Sequence, residues 1–226
     1  MRTVALADLE TRSRVVDWGI PKSAKICASL NFQAKIRVEP ELAIKDTLCG
    51  SKQANILASV LFGRSDVSLK KVIDLGKELG EDGIEEGLLM PGMMKILQAL
   101  DRDGRFEYEL ATGEEWNLER IKGIIELGGV IVVGVWEMGR EDDLYADADE
   151  HIVSIVGYTG EKVLIMDSSL AKDQAMGFYS IKFEDFRRNW RWTIGEDGDK
   201  EIKDGMVIAK NGWEESPSVV IVPKEA

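Results

Sequence analysis

The chain has 226 residues, 44% of them apolar and 31% charged, and a formal net charge of −12 at pH 7. This length suits one sizeable core, or at most two small ones, and we expect a single domain over residues 1–226. The acidic balance argues against nucleic acid and an anionic membrane surface as partners, because both require a basic face. The first thirty residues lack the apolar core of a signal peptide, and no apolar run is long enough to cross a bilayer, which favours a cytoplasmic protein.

The N-terminal half of the sequence predicts mostly helices. Residues 23–38 come first, with alternating apolar positions that indicate one or two strands. Apolar residues at helical spacing then mark three segments: 51–63, 68–80 and 91–101. A strand-like stretch follows at 105–110. Thr112 and Glu115 have the spacing of a capping box, which predicts that a fourth helix begins there.

The C-terminal half predicts strands. Four segments are apolar at most positions: 130–136, 151–158, 162–167 and 178–183. A short helix at 184–190 follows, and the tail adds two strand-like stretches, 206–210 and 218–222. Helices first and a mostly antiparallel sheet second predict an α+β architecture. The acidic stretches 140–150 and 195–205 are typical of solvated loops, and the first lacks the ligand spacing of a calcium loop.

Two cysteines, Cys27 and Cys49, are too few for a disulfide framework. A tetrahedral zinc site would need both of them together with His151, the only histidine in the sequence, and a carboxylate. We therefore expect neither a metal nor another cofactor. Cys27 lies in a strand-like stretch and is typical of a small buried apolar residue.

Cys49 directly precedes the first predicted helix, in the stretch DTLCGSKQANIL. A thiol at this position feels the positive end of the helix dipole and the N–H groups of the first turn, which favour the thiolate. The same N–H groups can receive a developing oxyanion, and Gly50 lets a substrate approach closely. These features make Cys49 a candidate nucleophile.

His151 opens one predicted strand, and the next predicted strand ends at Asp167. If the loop between them is residues 158–160, His151 lies opposite Asp167 on one face, with Cβ atoms about 5 Å apart. If the loop is residues 159–160 alone, His151 opposes Ser168 and Asp167 turns to the other face. We favour the three-residue loop, because glycine suits its last position.

In the favoured register the Asp167 carboxylate accepts a hydrogen bond from one imidazole nitrogen of His151 and leaves the other nitrogen for a thiol. Asp149 and Glu150 directly precede His151. We expect them to raise its pKa and so to favour a thiolate–imidazolium pair with Cys49.

Three stretches follow one another in the sequence: DTLCGSKQANILASVLFG, HIVSIVGYTGEKVLIMDSS and FEDFRRNW. Together they resemble the papain-like cysteine peptidases of the bacteriocin-processing, C39-like branch. In that family a Cys opens a helix, a His begins a strand that runs to a Gly-Tyr pair, and an Asp or Asn ends the next strand. The stretch LERIKGIIELGGVIVVGVW is also similar to the family's helix and Gly pair before the first strand. The resemblance covers residues 46–193 and leaves 1–45 and 194–226 as extensions.

The resemblance implies a papain-like α+β fold, with Cys49 as nucleophile, His151 as general base and Asp167 as the residue that orients the base. It also implies thiolate attack on an amide carbonyl, an acyl-enzyme and hydrolysis. The sequence departs from the family at Ala43, where a Gln that donates to the oxyanion is expected. Three other residues are open as donors: Asn31, Gln33 and Gln53.

The sequence therefore favours a cytoplasmic thiol hydrolase that acts on a peptide or small amide substrate. The same triad also suits acyl transfer, as in transglutaminase-like enzymes. A third interpretation is a non-catalytic peptide-binding module on the same fold, which Ala43 favours. Residues 1–45 are compatible with an added strand pair or with an inhibitory arm over the cleft.

Overall fold

The computed structural model describes residues 2–5, 23–31, 34–38, 42, 46–81, 84, 87–111, 116–135, 151–168, 177–189, 200–203, 206–209 and 218–224. The helices with defined bounds are α1 (Cys49–Val60), α2 (Leu69–Glu78), α3 (Met90–Leu100), α4 (Leu118–Glu126) and α5 (Phe183–Asn189). A 3-10 turn, Asp46–Leu48, leads directly into α1. None of the described helices has the length and apolarity needed to cross a membrane.

Local signals explain where these helices begin and end. Ser68 is the N-cap of α2, and its hydroxyl accepts a hydrogen bond from the Lys71 N–H. Gly63 and Gly80 follow α1 and α2 with φ of 72° and 81°, a conformation that costs glycine little. Pro91 stands in the first turn of α3, where its missing N–H removes no helical hydrogen bond.

The start of α4 differs from the prediction. Its N-cap is Asn117, whose side-chain oxygen accepts a hydrogen bond from the Arg120 N–H at 2.9 Å. The capping box predicted at Thr112 and Glu115 is therefore wrong as the start of this helix, and both residues lie outside the described ranges. Asn is as good an N-cap as Thr, and Asn117 directly precedes the apolar stripe of the helix.

The described strands form one main sheet and two short ladders. The main sheet contains β2 (Lys25–Ile26), β4 (Phe106–Ala111), β5 (Val130–Val135), β6 (His151–Thr159), β7 (Lys162–Asp167), β8 (Gly177–Lys182) and β11 (Ser218–Pro223). Its order is β4–β11–β5–β6–β7–β8, with β2 pairing to β6, and every pair is antiparallel. The ladders join β1 (Arg2–Ala5) to β3 (Lys35–Val38) and β9 (Lys200–Lys203) to β10 (Met206–Ala209). Helices packed on an antiparallel sheet make an α+β fold, as the sequence predicts.

Strands from outside residues 46–193 belong to the main sheet. β11 lies between β4 and β5, and β2 hydrogen-bonds to β6. The first 45 residues also supply β1 and β3, which form a strand pair, one of the two structures expected for them. β9 differs from the prediction, because it falls in the stretch 195–205 that the sequence indicates as a loop.

Helices cover both faces of β6. On one face, the Gln53 side-chain amide in α1 donates to the Ser154 hydroxyl at 2.7 Å. Ser154 pairs with Met166, and Tyr158 pairs with Val163. Met166 and Val163 are three residues apart in β7, so their side chains point to opposite faces of the sheet. Tyr158 therefore faces away from α1, and its hydroxyl donates to a carboxylate on α4. This double cover explains why β6 is apolar on nearly every position.

The β6–β7 hairpin follows neither of the two predicted registers. Thr159 pairs with Lys162, so the turn is Gly160–Glu161. The register then shifts by one residue between Ile155 and Gly157, which is a β-bulge at Val156. Both predicted loops assumed a regular ladder, and a bulge leaves no clear mark in an apolar stretch.

We predict opposite effects from two Gly→Ala substitutions. A Cβ on Gly157 would lie 2.5 Å from the backbone oxygen of Lys25, so Gly157→Ala forces β2 away from β6. A Cβ on Gly123 in α4 would meet nothing within 4 Å. In urea denaturation, Gly157→Ala should lower the free energy of unfolding by about 1–3 kcal/mol. Gly123→Ala should raise it by about 0.5–1 kcal/mol. Equal effects of the two variants would contradict the close packing of β2 on β6.

Candidate functional site

His151 and Asp167 form a buried pair at one end of the main sheet. The His151 Nε2 and the Asp167 Oδ1 are 2.7 Å apart, and the two residues are 8% and 1% exposed. The favoured register of the sequence prediction placed the two residues directly opposite each other, and that prediction is wrong. Continuing the register beyond the bulge places Val153 opposite Asp167, so His151 is the diagonal neighbour of Asp167 on the same face.

Cys49 lies where α1 begins, beside the first residues of β6. Its thiol is hydrogen-bonded to the His151 side chain. Because Nε2 of His151 bonds to Asp167, Nδ1 is the ring nitrogen that remains for the sulfur. The N–H groups of Gly50 and Ile152 also point at the Cys49 Sγ. The structure thus brings together all three predicted site residues, from α1, β6 and β7.

The packing of Gly50 holds the start of α1 against the sheet. A Cβ on Gly50 would lie 2.9 Å from the Leu88 Cβ and 3.0 Å from the Ile152 Cδ1. Glycine therefore lets the backbone of α1 approach β6 closely enough for Cys49 to reach His151. The predicted role of Gly50 was access for a substrate, and its structural role is this close approach.

The surroundings of His151 favour its protonated form. Burial by itself lowers the pKa of His151, because a cation loses its hydration. The charge of Asp167 and its hydrogen bond act in the other direction, and the Cys49 thiol adds to them. The net result is a His151 pKa above its ordinary value. Asp149 and Glu150, which the sequence analysis assigned to this effect, lie outside the described residues.

The surroundings of Cys49 favour the thiolate. Burial by itself raises the pKa of Cys49, because it removes an anion from water. The hydrogen bond and positive charge of His151 oppose this, helped by the N–H groups of Ile152 and Gly50. The net pKa of Cys49 is lowered. A thiolate–imidazolium pair is the charge state that these contacts stabilise.

Cys27 has the opposite character. It is buried, its thiol donates to the Gly128 carbonyl at 3.1 Å, and burial raises its pKa. The Cys27 N–H bonds to Val156, whereas Cys49 contacts β6 at Ile152. Ile152 and Val156 are four residues apart, which is roughly 13 Å along a strand. The two cysteines are therefore too far apart for a disulfide or a shared zinc ion.

One predicted oxyanion donor, Gln53, uses its amide elsewhere, and another, Asn31, lies far from Cys49. Gln53 is fully buried, and its amide donates to Ser154 and to the Met166 carbonyl. The Asn31 N–H bonds to the carbonyl of Val60, the last residue of α1, so Asn31 lies about 16 Å along the helix from Cys49. Gln33 and Ala43 lie outside the described residues.

Ser168 is a buried polar residue next to Asp167 in the chain, and it was not among the predicted site residues. It is 8% exposed, and its buried hydroxyl has no hydrogen-bond partner among the described residues. Within the described ranges, no three His, Cys, Asp or Glu side chains are grouped in a way that would hold a metal ion. The acidic stretch 140–150 is not among those ranges.

Comparison with known proteins gives likenesses to solved structures and none in sequence. No protein-family model and no curated protein matches the sequence. Among solved structures, the fold is similar to a "putative C39-like peptidase" from Bacillus anthracis, at 15% identity and a TM-score of 0.45. The match covers 80% of this chain and 91% of that one. A likeness of this size does not establish a family.

We predict that the two cysteines differ in their reaction with iodoacetamide. Cys49 should be alkylated well below pH 8.5, the ordinary thiol pKa, because its pKa is lowered. In His151→Asn, which keeps a hydrogen-bonding side chain but no charge, the reaction should move to higher pH. The measurement is mass spectrometry of the two cysteine peptides between pH 4 and 10. Cys27 is the internal control and should react slowly throughout. A Cys49 profile that matches Cys27, or that ignores residue 151, would rule out the ion pair.

Proposed function

We propose that the protein is a thiol hydrolase that cleaves a peptide or related amide bond through Cys49, His151 and Asp167. The observation that carries the proposal is the contact of the Cys49 thiol with a histidine that Asp167 holds at 2.7 Å. The base, His151, is thereby within hydrogen-bonding reach of both the nucleophile and the orienting carboxylate, which is the geometry that covalent catalysis requires.

In the first step, the Cys49 Sγ forms a bond to the substrate carbonyl carbon. The π electron pair of the carbonyl moves to its oxygen, which becomes an oxyanion. As this intermediate collapses, the C–N bond breaks and the His151 imidazolium gives its proton to the leaving amine. The product is an acyl-enzyme on Cys49, with a neutral His151.

In the second step, water attacks the thioester while His151 takes one of its protons. The C–S bond then breaks, the acid is released, and Cys49 returns as the thiolate beside a protonated His151. The Asp167 carboxylate fixes the imidazole ring and stabilises its positive charge, without itself becoming protonated.

We propose a papain-like fold of the C39-like branch for this chemistry. The order of the parts supports it, because a Cys at the start of α1 precedes a His at the start of β6 and an Asp at the end of β7. The protein would need neither a metal nor a cofactor, because the thiolate is activated by protein groups alone. Cys27 and Cys49 are both free thiols, which suits a reducing compartment such as the cytoplasm.

We predict that Cys49→Ala abolishes peptide cleavage and that Asp167→Asn lowers kcat by a factor on the order of a hundred or more, because the imidazolium loses its counter-charge. The measurement is cleavage of a random peptide library, followed by mass spectrometry. Asp101→Asn is the matched control, since Asp101 is 6% exposed but bonds to the backbone at β4, on the far edge of the sheet. It should leave kcat unchanged.

The same assay separates the other interpretations. If an added amine such as glycinamide appears on the cleaved acyl product in place of water, the protein is an acyltransferase. If the library peptides bind to the chain but are not cleaved and do not acylate Cys49, the protein is a peptide-binding module and the hydrolase proposal is wrong.

A further inference from the structure

One buried side-chain amide joins the three elements that carry the candidate site residues. Gln53 and Ser154 are both fully buried, and the Gln53 Nε2 donates to the Ser154 Oγ at 2.7 Å. The same nitrogen donates to the Met166 carbonyl at 3.4 Å, which is a longer and weaker bond. A single group on α1 is therefore bonded to both β6 and β7.

These two bonds lie close to the site along each element. Gln53 is four residues after Cys49 in α1, about 6 Å along the helix axis. The serine that accepts from the amide is three residues after His151 in β6, roughly 10 Å along the strand. Met166 directly precedes Asp167 in β7. Because a helix moves as a unit over one turn, a shift of α1 at the amide also shifts the Cys49 sulfur relative to both strands.

The two acceptors fix the direction of the amide. A carbonyl oxygen only accepts hydrogen bonds, so the amide atom that faces the Met166 carbonyl is the nitrogen. The two hydrogens of this nitrogen serve acceptors on two neighbouring strands. The burial of apolar surface is non-directional, so apolar packing of α1 on the sheet does not by itself select one position of the helix. The hydrogen bonds of Gln53 do select one.

Stability alone does not account for an amide at this place. The net gain from a buried hydrogen bond is small, and the replacement of both partners by apolar groups of similar shape can be nearly neutral. An apolar side chain of the same length as Gln53 would therefore fill the core about as well. What the amide adds is a fixed arrangement, because a buried polar network rigidifies and specifies the core around it.

We propose that Gln53 is a positioning residue, whose amide sets the distance from the Cys49 sulfur to the His151 ring by fixing α1 on β6 and β7. This role rests on the proposed thiol chemistry, and it requires no contact between Gln53 and a substrate. A misplacement of 1 Å can cost on the order of a hundredfold in rate, so a catalytic group benefits from such a restraint. The restraint acts at the second turn of α1, away from the reacting atoms.

The first variant is Gln53→Met, which keeps the length of the side chain and removes both N–H groups. The alkylation of Cys49 by iodoacetamide should move to higher pH by about half a unit or more, because a longer thiolate–imidazolium distance weakens their attraction. The kcat for peptide cleavage should fall by on the order of a hundredfold, with KM nearly unchanged.

The second variant combines Gln53→Met with Ser154→Ala and separates position from stability. It makes both ends of the 2.7 Å bond apolar, so most of the stability lost in Gln53→Met should return in urea denaturation. The Cys49 profile and kcat should nevertheless stay as in Gln53→Met, because the restraint on α1 is still absent. If Gln53→Met does not fold, Ser154→Ala alone decides, since it removes the same bond from the other end.

The matched control is Ile96→Ala in α3. Ile96 is fully buried and packs near Gly76 of α2, so its truncation leaves a cavity in the core without removing a bond of α1 to the sheet. This variant should be less stable in urea. Its alkylation profile and its kcat should equal those of the unmodified chain.

The outcomes separate this inference from the proposed function. If Gln53→Met and the double variant keep the Cys49 profile and kcat of the unmodified chain, the amide serves the fold alone, and the hydrolase proposal stands. If Ile96→Ala changes the profile as much as Gln53→Met, general loosening of the core is the cause and the inference fails. If Cys49 of the unmodified chain titrates as an ordinary thiol near pH 8.5 and no peptide is cleaved, both proposals fail together.

Discussion

The bulge at Val156 is the constraint on which the candidate site depends. Side chains alternate between faces along a strand, so regular pairing from the Gly160–Glu161 turn would put Asp167 and His151 on opposite faces. One extra residue in β6 reverses this parity and brings them to 2.7 Å. The bulge lies where the partner of β6 changes from β5 to β2, and the Val156 carbonyl accepts the Cys27 N–H there. The carbonyl of Val156, the extra residue of the bulge, therefore still has a hydrogen-bond partner.

The charges that this geometry brings together stabilise one another. Cys49, His151 and Asp167 are all nearly buried, and an isolated charge at such a place would be neutralised. In the charge state that these contacts favour, the imidazolium lies between two anions, so each charge has an opposite neighbour. Removal of one member leaves a buried charge uncompensated, which is costly. The three groups together carry one net negative charge at the positive end of α1, so the direction of that helix is part of the electrostatics.

The sequence predicts the elements of the site better than their geometry. The bounds of β7 agree with the predicted 162–167, because turn residues flank an apolar run on both sides. Residue type and position also selected Cys49, His151 and Asp167 as candidates, and the structure brings these three side chains together. Their register did not follow from the sequence, because an apolar residue in a bulge looks like any other strand residue. Nor does the sequence show that the Ser168 hydroxyl lacks a hydrogen-bond partner among the described residues, because that depends on which groups lie near it in the folded chain.

The candidate nucleophile, Cys49, is held by the core of the protein. Every residue of α1 is buried, including the polar side chain of Gln53, whose bond to Ser154 ties the second turn of the helix to the sheet. Gly50 is packed between Leu88 and Ile152, so the first turn of α1 lies close against β6. A catalytic group set on a rigid, packed element keeps its geometry better than one on a loop. Stability and reactivity are therefore coupled here, because the contacts that fix α1 in the core also set the distance from the Cys49 sulfur to the imidazole.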